Sequence, residues 1–473
     1  MNEKSEFGDV KSSIMEGPKF VAKTGPQYFA ALTATMGAFA LGTALGWSSP
    51  AVPNMEELGD FDNLTADSEM ATWIGSTTPL GCCFAGFLAG FMVEYFGRKW
   101  TMIILAPPFI ASWFIIAFAP TAAVILVGRF ISGLCGGSFC LICPVYVSEI
   151  AEDRLRGLLS NTLALFIVLG ILFSFCVGAV ISWKNLSLVC AVVPIIFGVG
   201  MFFQPESPRY LLSKGRDKEA RESLKRLRGA HSLDQIDPEI RIIQASIDEA
   251  NSQSASFQDL LAGPILKPTG ICLMLMFLQQ FGGINAVNFY CVAIFRDAGT
   301  GIDDNVSAIV VAAVQVVFAF VSTLLVERAG RKILLMISEL GMALCLVALG
   351  VYFYIKEDED KDASNLGWLP LTSLILYMVT YSLGSGPLPW TLMGELLPPH
   401  VKGITSSIAT AFCWGLAFIV TKFFTQMLDG LTPAGCYWMF SGWCFFGFVF
   451  CLVLVPETKG KSLDDIQKLF GAK

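Results

Sequence analysis

Twelve apolar runs, each about 20 residues long, alternate with polar connections along the chain, beginning near Gln27, Ala71, Trp100, Ala122, Leu158, Leu186, Lys267, Asn305, Lys332, Leu369, Gly403 and Gly435. A helix of about 20 apolar residues crosses roughly 30 Å of hydrocarbon. The pattern therefore predicts an all-α membrane protein of twelve transmembrane helices. The seventh run stands apart: residues 277–290 read FLQQFGGINAVNFY, with Gln279, Gln280, Asn285 and Asn288 around a Gly282-Gly283 break. Composition agrees with the pattern, since 54% of the 473 residues are hydrophobic and only 15% are charged.

Polar residues between the runs set the expected topology. The first 26 residues are polar and no small-residue cleavage site follows the first run, so that run is expected to stay as an anchor. An even number of crossings puts both termini on one side. Of the 32 Lys and Arg, all but Lys184, Arg296, Lys356, Lys361 and, within helices, Arg129 and Lys422 fall in the tails and loops of that side. The positive-inside bias makes it cytoplasmic, and the cell membrane is the expected location. Three N-x-S/T triplets, at Asn63, Asn185 and Asn305, all fall on the other side, with Asn63 the best glycosylation candidate. The net charge of -7 then says little about partners, and the acidic run at 356–362 reads as a solvated loop. Nearly all 14 cysteines lie within predicted helices, which favours packing over disulfides; the Cys140/Cys143 pair has no second pair or membrane-level histidine to complete a metal site.

The chain repeats itself. VEYFGRKW at 93–100 returns as VERAGRKI at 326–333; Glu149 with Arg156-Gly157 returns as Glu395 with Lys402-Gly403; PESPR from 205 returns as PETKG from 456. The expected division is a cytoplasmic tail at 1–26, a six-helix half at 27–204, a cytoplasmic helical linker at 205–266, a second six-helix half at 267–455 and a tail at 456–473. Helical patterning within the linker covers Lys218–Arg228 and Asp237–Ala250. This segment shows no phosphate loop or nucleophile constellation, and no enzymatic role, cofactor, metal or nucleic-acid partner is expected of the chain. A duplicated six-helix set is a transporter plan, with a central site opened to either side by rocking of the halves. Close helix crossings are expected at Gly42/Gly46, Gly86/Gly90 and Gly133/Gly137.

An unpaired amide in hydrocarbon is costly. On a continuous helix Gln280, Asn285 and Asn288 share an arc of about 140° while Gln279 points away. Single amides serve as glue between helices, but four beside a glycine break suit a polar cavity. A second interruption, Gly384-Ser-Gly-Pro-Leu-Pro389, falls in the tenth run. Amides donate and accept, which matches hydroxyls, and no unpaired Lys or Arg lies deep in these two runs to balance a charged ligand. The expected ligand is neutral and hydroxyl-rich, such as a sugar, with Trp390 and Phe289 available to cover its apolar face.

These motifs together, Gly97-Arg98-Lys99, Arg129, Glu149, Arg156-Gly157, PESPR, QQFGGINAVNFY, ERAGRK at 327–332, GPLPW and PETKG, resemble the sugar porter family of the major facilitator superfamily. The stretch GWSSPAVP at 46–53 is similar to the arthropod facilitated trehalose transporter-like branch. The resemblance implies sugar contacts by Gln279, Gln280 and Asn285, a further polar contact from Gln315, and Trp390 lining the site. Asn288 stands where relatives usually have an aromatic. It also implies a gating network of Arg98, Glu149, Arg156, Arg331, Glu395 and Lys402 that locks the outward-open state and breaks as the halves rock. A small-molecule sugar and the bilayer are the expected partners, and the chain is expected to act as a monomer.

Departures from the family pattern bear on the substrate and on coupling. Ala164 and Cys413 stand where glutamine and asparagine are common, Ser382 replaces a glutamate, and Lys402 replaces an arginine. The lost amides leave room for a disaccharide or another polyol. Residues 27–53 contain no Asp or Glu, and Ala44 lies about where proton-driven relatives carry an acid. Glu94, Glu149, Glu327, Glu339 and Glu395 read as acids at or near cytoplasmic helix ends, and Glu339 is the one that an inward register would change. The expectation is a sugar uniporter; a non-transporting sugar sensor and a proton-coupled symporter are the alternatives.

Overall fold

The computed structural model describes residues 22–62, 64–65, 68–252, 263–299, 301–357, 364–461 and 463–470. Asn63, most of the N-terminal tail and positions 358–362 of the acidic run lie outside the described residues. Among those residues the chain forms twelve crossings. They are α1 (Gly25–Leu58), α2 (69–96), α3 (98–117), α4 (Ala122–Ile150), α5 (Asp153–Gly178), α6 (Trp183–Phe202), α7 (Gly263–Phe281 and Ile284–Ala298), α8 (Asp304–Ala329), α9 (Arg331–Glu357), α10 (Leu369–Leu383 and Leu388–Leu396), α11 (399–431) and α12 (433–454).

The helices turn large apolar side chains outward, including Phe87 at 74%, Leu344 at 63% and Val453 at 70% exposure. Contiguous exposed apolar surface of this kind is tolerated where lipid rather than water surrounds it. Inside the first half, Trp47, Phe109, Trp113, Phe139 and Phe197 fill the core, and the one indole donor of Trp47 reaches Ser187 Oγ at 2.9 Å.

Small residues set how closely the helices cross. A Cβ on Gly42 would meet the Ile167 carbonyl oxygen at 2.1 Å, and one on Gly133 would meet that of Thr78 at the same 2.1 Å. These contacts bind α1 to α5 and α2 to α4, with Gly46 and Gly137 alongside them. Gly86 and Gly90 differ from expectation: Gly86 has only Leu141 near, at 3.8 Å, and Gly90 has nothing within 4 Å. Spacing alone does not say which face of α2 meets a neighbour.

Between the halves, helices at Pro208–Ser213, Asp217–Arg228 and Asp237–Ser252 form a small satellite core from Tyr210, Leu224, Ile236, Ile240 and Ile247. It is fastened to the first half, with Arg228 Nη1 donating to the Ile150 carbonyl at 2.7 Å. A further helix, Leu463–Leu469, follows α12. At the face opposite the termini, the halves are tied to each other. Arg296 pairs with Glu56 at 3.0 Å, Lys422 donates to Thr72 at 2.9 Å and approaches Glu69 at 3.7 Å, and the Val292 amide donates to Ser49 Oγ at 3.2 Å.

Candidate functional site

Two interrupted helices meet in the second half. At Gly283 the backbone takes φ +91°, open to glycine and costly for most other residues. The carbonyl of Gly282 accepts the Tyr377 hydroxyl at 2.8 Å, so this break leaves no orphan there. In α10, the Ser385 amide donates to Ser338 Oγ at 2.9 Å and the Ser385 hydroxyl donates to Glu339 Oε1 at 2.7 Å. A Cβ on Gly384 would lie 2.5 Å from the Leu334 carbonyl oxygen, so the break is pressed against α9.

The amides join these breaks. Gln279 Nε2 donates to the carbonyls of Ser385 at 2.7 Å and Gly386 at 2.9 Å, both freed by the α10 break. Gln280 Nε2 donates to Gln279 Oε1 at 3.3 Å and to Cys413 Sγ at 3.1 Å, and Asn285 Nδ2 donates to Gln280 Oε1. Gln279, expected to point away, is thus part of the same chain, since its side-chain oxygen is reached by the neighbouring Gln280. The arc computed on a continuous helix does not carry across the left-handed Gly283, which resets the direction of Asn285 and Asn288 relative to the two glutamines.

Other expected residues are placed without being brought into that chain. Asn288 and Gln315 are buried, and Gln315 Oε1 has no hydrogen-bond partner. Trp390 is half-buried on the second piece of α10, and Phe289 is buried on the second piece of α7. Ser382 is buried with an unpartnered hydroxyl. Cys413, noted in the sequence only as a departure, is in direct contact with both Gln279 and Gln280.

Sequence reasoning misplaced Glu339, which lies more than two turns inside α9, is 1% exposed, and is no helix-end anchor. It placed Ser385 in the interruption of the tenth run without giving it a role, and it did not single out Ser338. The adjacent polar pair Ser338-Glu339 in an apolar run was the available signal.

The repeated charge motifs fold into two matching sites at the face carrying the termini. Gly97 and Gly330 take φ +86° and +91°, and at each a Cβ would lie 2.6 Å from a carboxylate oxygen, of Glu206 and Glu457 respectively. Each carboxylate accepts the backbone amides that follow its glycine: Arg98 and Lys99 for Glu206, Arg331 and Lys332 for Glu457. Each arginine then pairs with the acid of the next helix pair, Arg98 with Glu149 at 2.7 Å and Arg331 with Glu395 at 3.0 Å. A hydroxyl completes each site at 2.5 Å, Ser207 on Glu149 and Thr458 on Glu395.

Arg156 Nε and Lys402 Nζ donate to the carbonyls of Ser148 at 3.1 Å and Gly394 at 2.7 Å, eight residues back in both cases. All these contacts lie within a half, so each set braces its own six helices. The two carboxylates differ in one respect. Burial pushes the Glu206 carboxyl above its ordinary range, only partly opposed by the amides of Ser207, Lys99 and Arg98. Burial also acts on Glu457, but the amides of Lys459, Arg331, Lys332 and Thr458 outweigh it and hold that carboxyl low.

This doubled arrangement has a match among known proteins, since the family described as "Sugar (and other) transporter" covers residues 30–470. The chain belongs to that family. It is 42% identical over 451 residues to a protein named facilitated trehalose transporter Tret1 of Culex quinquefasciatus, covering 95% of this chain and 86% of that one. The counterpart in Aedes aegypti is 41% identical over 93% of this chain, but the chain spans only 55% of its length. The fold is that of the major facilitator sugar porters. The xylose transporter XylE of E. coli in an inward-open form superposes with a TM-score of 0.78 at 24% identity, covering 94% of this chain and 99% of that one. The XylE proton:xylose symporter bound to 6-bromo-6-deoxy-D-glucose gives 0.76 at 24% identity, over 94% of this chain and 99% of its own.

Within this sugar transporter family member, the fully buried Arg129 of α4 is held by main-chain carbonyls. Its Nη1 donates to the Ala44 carbonyl at 2.5 Å, its Nε to the Ile74 carbonyl at 3.1 Å, and its guanidinium lies 5.1 Å from the Trp47 ring. Position 44 thus offers Arg129 a backbone oxygen that cannot titrate.

Proposed function

We propose that the protein is a facilitator that moves a neutral sugar, a hexose or a trehalose-type disaccharide, down its gradient by alternating access. The observation that carries this reading is the amide chain from Asn285 through Gln280 to Gln279, anchored where both α7 and α10 break. A sugar hydroxyl moved into an apolar phase without a partner costs at least about 1–3 kcal/mol. Five hydroxyls then raise a barrier of very roughly 5–15 kcal/mol, and each ~1.4 kcal/mol is tenfold in rate. Amides that exchange their internal partners for hydroxyls lower that barrier in a way that apolar side chains cannot. The names of the arthropod relatives support the disaccharide, and Cys413 among the amides, where the family pattern has an asparagine, supports a site altered from that of hexose carriers.

Energy coupling follows from the same geometry. Arg129 rests on the Ala44 carbonyl, and no acid occurs in residues 27–53 to couple protonation to sugar binding. Glu339 is turned inward but spends its carboxyl on Ser385. The basic bias of loops on the face carrying the termini supports a cytoplasmic placement of both ends in the cell membrane, and one chain supplies both halves of the bundle, which supports a working monomer.

Uptake of labelled glucose, fructose, trehalose and inositol into proteoliposomes tests the reading. Saturable uptake that stops at the external concentration is expected for at least one of them, with or without an inside-alkaline pH step. Accumulation above that level, abolished by a protonophore, overturns the uniport; binding without passage makes the protein a sensor.

A further inference from the structure

Glu339 is a carboxyl-bearing residue in the middle of a membrane helix, 1% exposed, and the transport cycle outlined above gives it no task. Burying such a group is costly unless it is hydrogen-bonded. Its two oxygens are used unequally: Oε1 accepts the Ser385 hydroxyl at 2.7 Å, while Oε2 has no partner and is packed against Gly447, where a Cβ would come within 2.7 Å. A glycine at 447 thus leaves the room in α12 that this carboxyl fills.

Ser385 is the middle of a relay. Its hydroxyl serves Glu339 and lies 3.0 Å from Ser338 Oγ, its amide donates to Ser338 Oγ at 2.9 Å, and its carbonyl receives Gln279 Nε2 at 2.7 Å. All three polar groups of one residue in the unwound stretch of α10 are therefore occupied, two by α9 and one by α7. The rest of the stretch 384–387 is held by main-chain bonds, with Gly384 and Gly386 donating to the Tyr381 carbonyl and Leu388 to that of Gly384, but none of these fixes Ser385 itself. An amide that must present a fixed edge to a ligand needs its own partners fixed first.

We infer that Glu339, acting through Ser385, is a positioning residue for substrate: it fixes the break in α10 so that Gln279 and, behind it, Gln280 and Asn285 are held in register to receive sugar hydroxyls. The inference rests on the proposal that sugar binds at the amide chain. It concerns a residue that does not touch the sugar. Because Glu339 and Ser385 act in series, their losses are expected not to add.

The test is a double-mutant cycle read as KM for labelled trehalose, with labelled glucose as the second probe, in proteoliposomes at measured protein content. Glu339→Ala and Ser385→Ala are each expected to raise KM about three- to tenfold, the range for one lost hydrogen bond, and the double variant no more than either alone. Glu339→Gln keeps a carbonyl oxygen for the Ser385 hydroxyl and is expected to restore KM to within about twofold of wild type. A purely structural role would lower the amount of folded carrier and the maximal rate while leaving KM alone, and that result overturns the inference. Should Glu339→Ala not fold, Ser385→Ala against Glu339→Gln decides it: unchanged KM in the first, or a full shift in the second, overturns it. Gln280→Ala separates the two levels of argument. A shifted KM there with none at Glu339 or Ser385 removes the clamp and keeps the site; no shift in any of the variants removes both.

Discussion

The two halves share one plan at the face carrying the termini and differ in their middles. Arg98–Glu149–Ser207 and Arg331–Glu395–Thr458 are the same three-part brace built twice. In the bilayer middle, the first half crosses its helices at backbone contact through Gly42 and Gly133, with aromatic packing behind. The second half interrupts α7 and α10 and fills the gaps with amides and hydroxyls. Duplication supplies a rigid wall and a polar wall from one ancestral pattern, and the divergence lies where a ligand would sit. The braces stay alike because both must carry the same rocking motion.

The largest effect expected from this contrast is on stability. Gly133→Ala places a methyl against the Thr78 carbonyl oxygen, a backbone atom that cannot turn aside, and overpacking of this kind costs about 1–3 kcal/mol or more. Gly90→Ala meets nothing within 4 Å and gains helix propensity. In detergent, the thermal midpoint of Gly133→Ala is expected to fall by several degrees and that of Gly90→Ala to stay or rise. Equal midpoints would mean that the first half is no stiffer than a loosely packed bundle.

Next in size is binding in the second half. Gln280→Ala and Asn285→Ala each remove one link of the amide chain, and each is expected to raise the apparent KM for sugar about three- to tenfold, from 0.5–1.5 kcal/mol for a neutral hydrogen bond. The fold and surface level should be kept, since each loss is a truncation beside a polar site. Uptake with unchanged KM in both would reduce the amides to helix glue.

How much of this contrast was legible in the sequence depends on distance along the chain. The duplication was legible because its motifs recur in order, and the linker helices because charged faces and caps mark them; Asp217–Arg228 and Asp237–Ser252 fall close to the expected bounds. The identity of the amide residues was legible too. Their arrangement was not, because one left-handed glycine at 283 sets the phase and sequence gives no angle for it. The role of Ser385 was invisible because it comes from three partners, one 106 and two about 47 positions away. Lys422, counted in the sequence only as a basic residue within a helix, reaches Thr72 and the Trp73 ring, 4.7 Å away, in the other half.

A smaller effect is expected at the braces. Arg331→Ala or Glu395→Ala removes one side of a largely buried pair at 3.0 Å with side-chain exposures of 10% and 24%. Partly screened pairs contribute on the order of 1 kcal/mol. Because each pair lies within one half and is kept whichever way the halves rock, both variants are expected to lower the thermal midpoint and to leave Cys413 labelled from the face carrying the termini at the wild-type rate. Glu149→Ala should do the same if the halves are equivalent braces. Faster labelling in any of the three would make the brace a gate as well.

The smallest expected effect separates the two carboxylates that the repeat makes equivalent. Glu457 is held below its ordinary value near 4.5, so its ionised form contributes stability that is present above that value and lost as pH falls through the lowered one. Glu206 is raised above the same ordinary value, so folding shifts its balance toward the protonated form. Its contribution is present below about that value and lost as pH rises through the raised one. Glu457→Gln is therefore expected to lower the thermal midpoint at pH 7, by an amount that shrinks on acidification toward pH 4. Glu206→Gln should instead be tolerated at pH 7, and it should remove the part of the wild-type pH response that comes from protonating this site. Midpoints measured between pH 4 and 7 check both signs. Parallel curves for the two variants would show that the second brace is no better solvated by its backbone amides than the first, and the one asymmetry between the repeated sites would be gone.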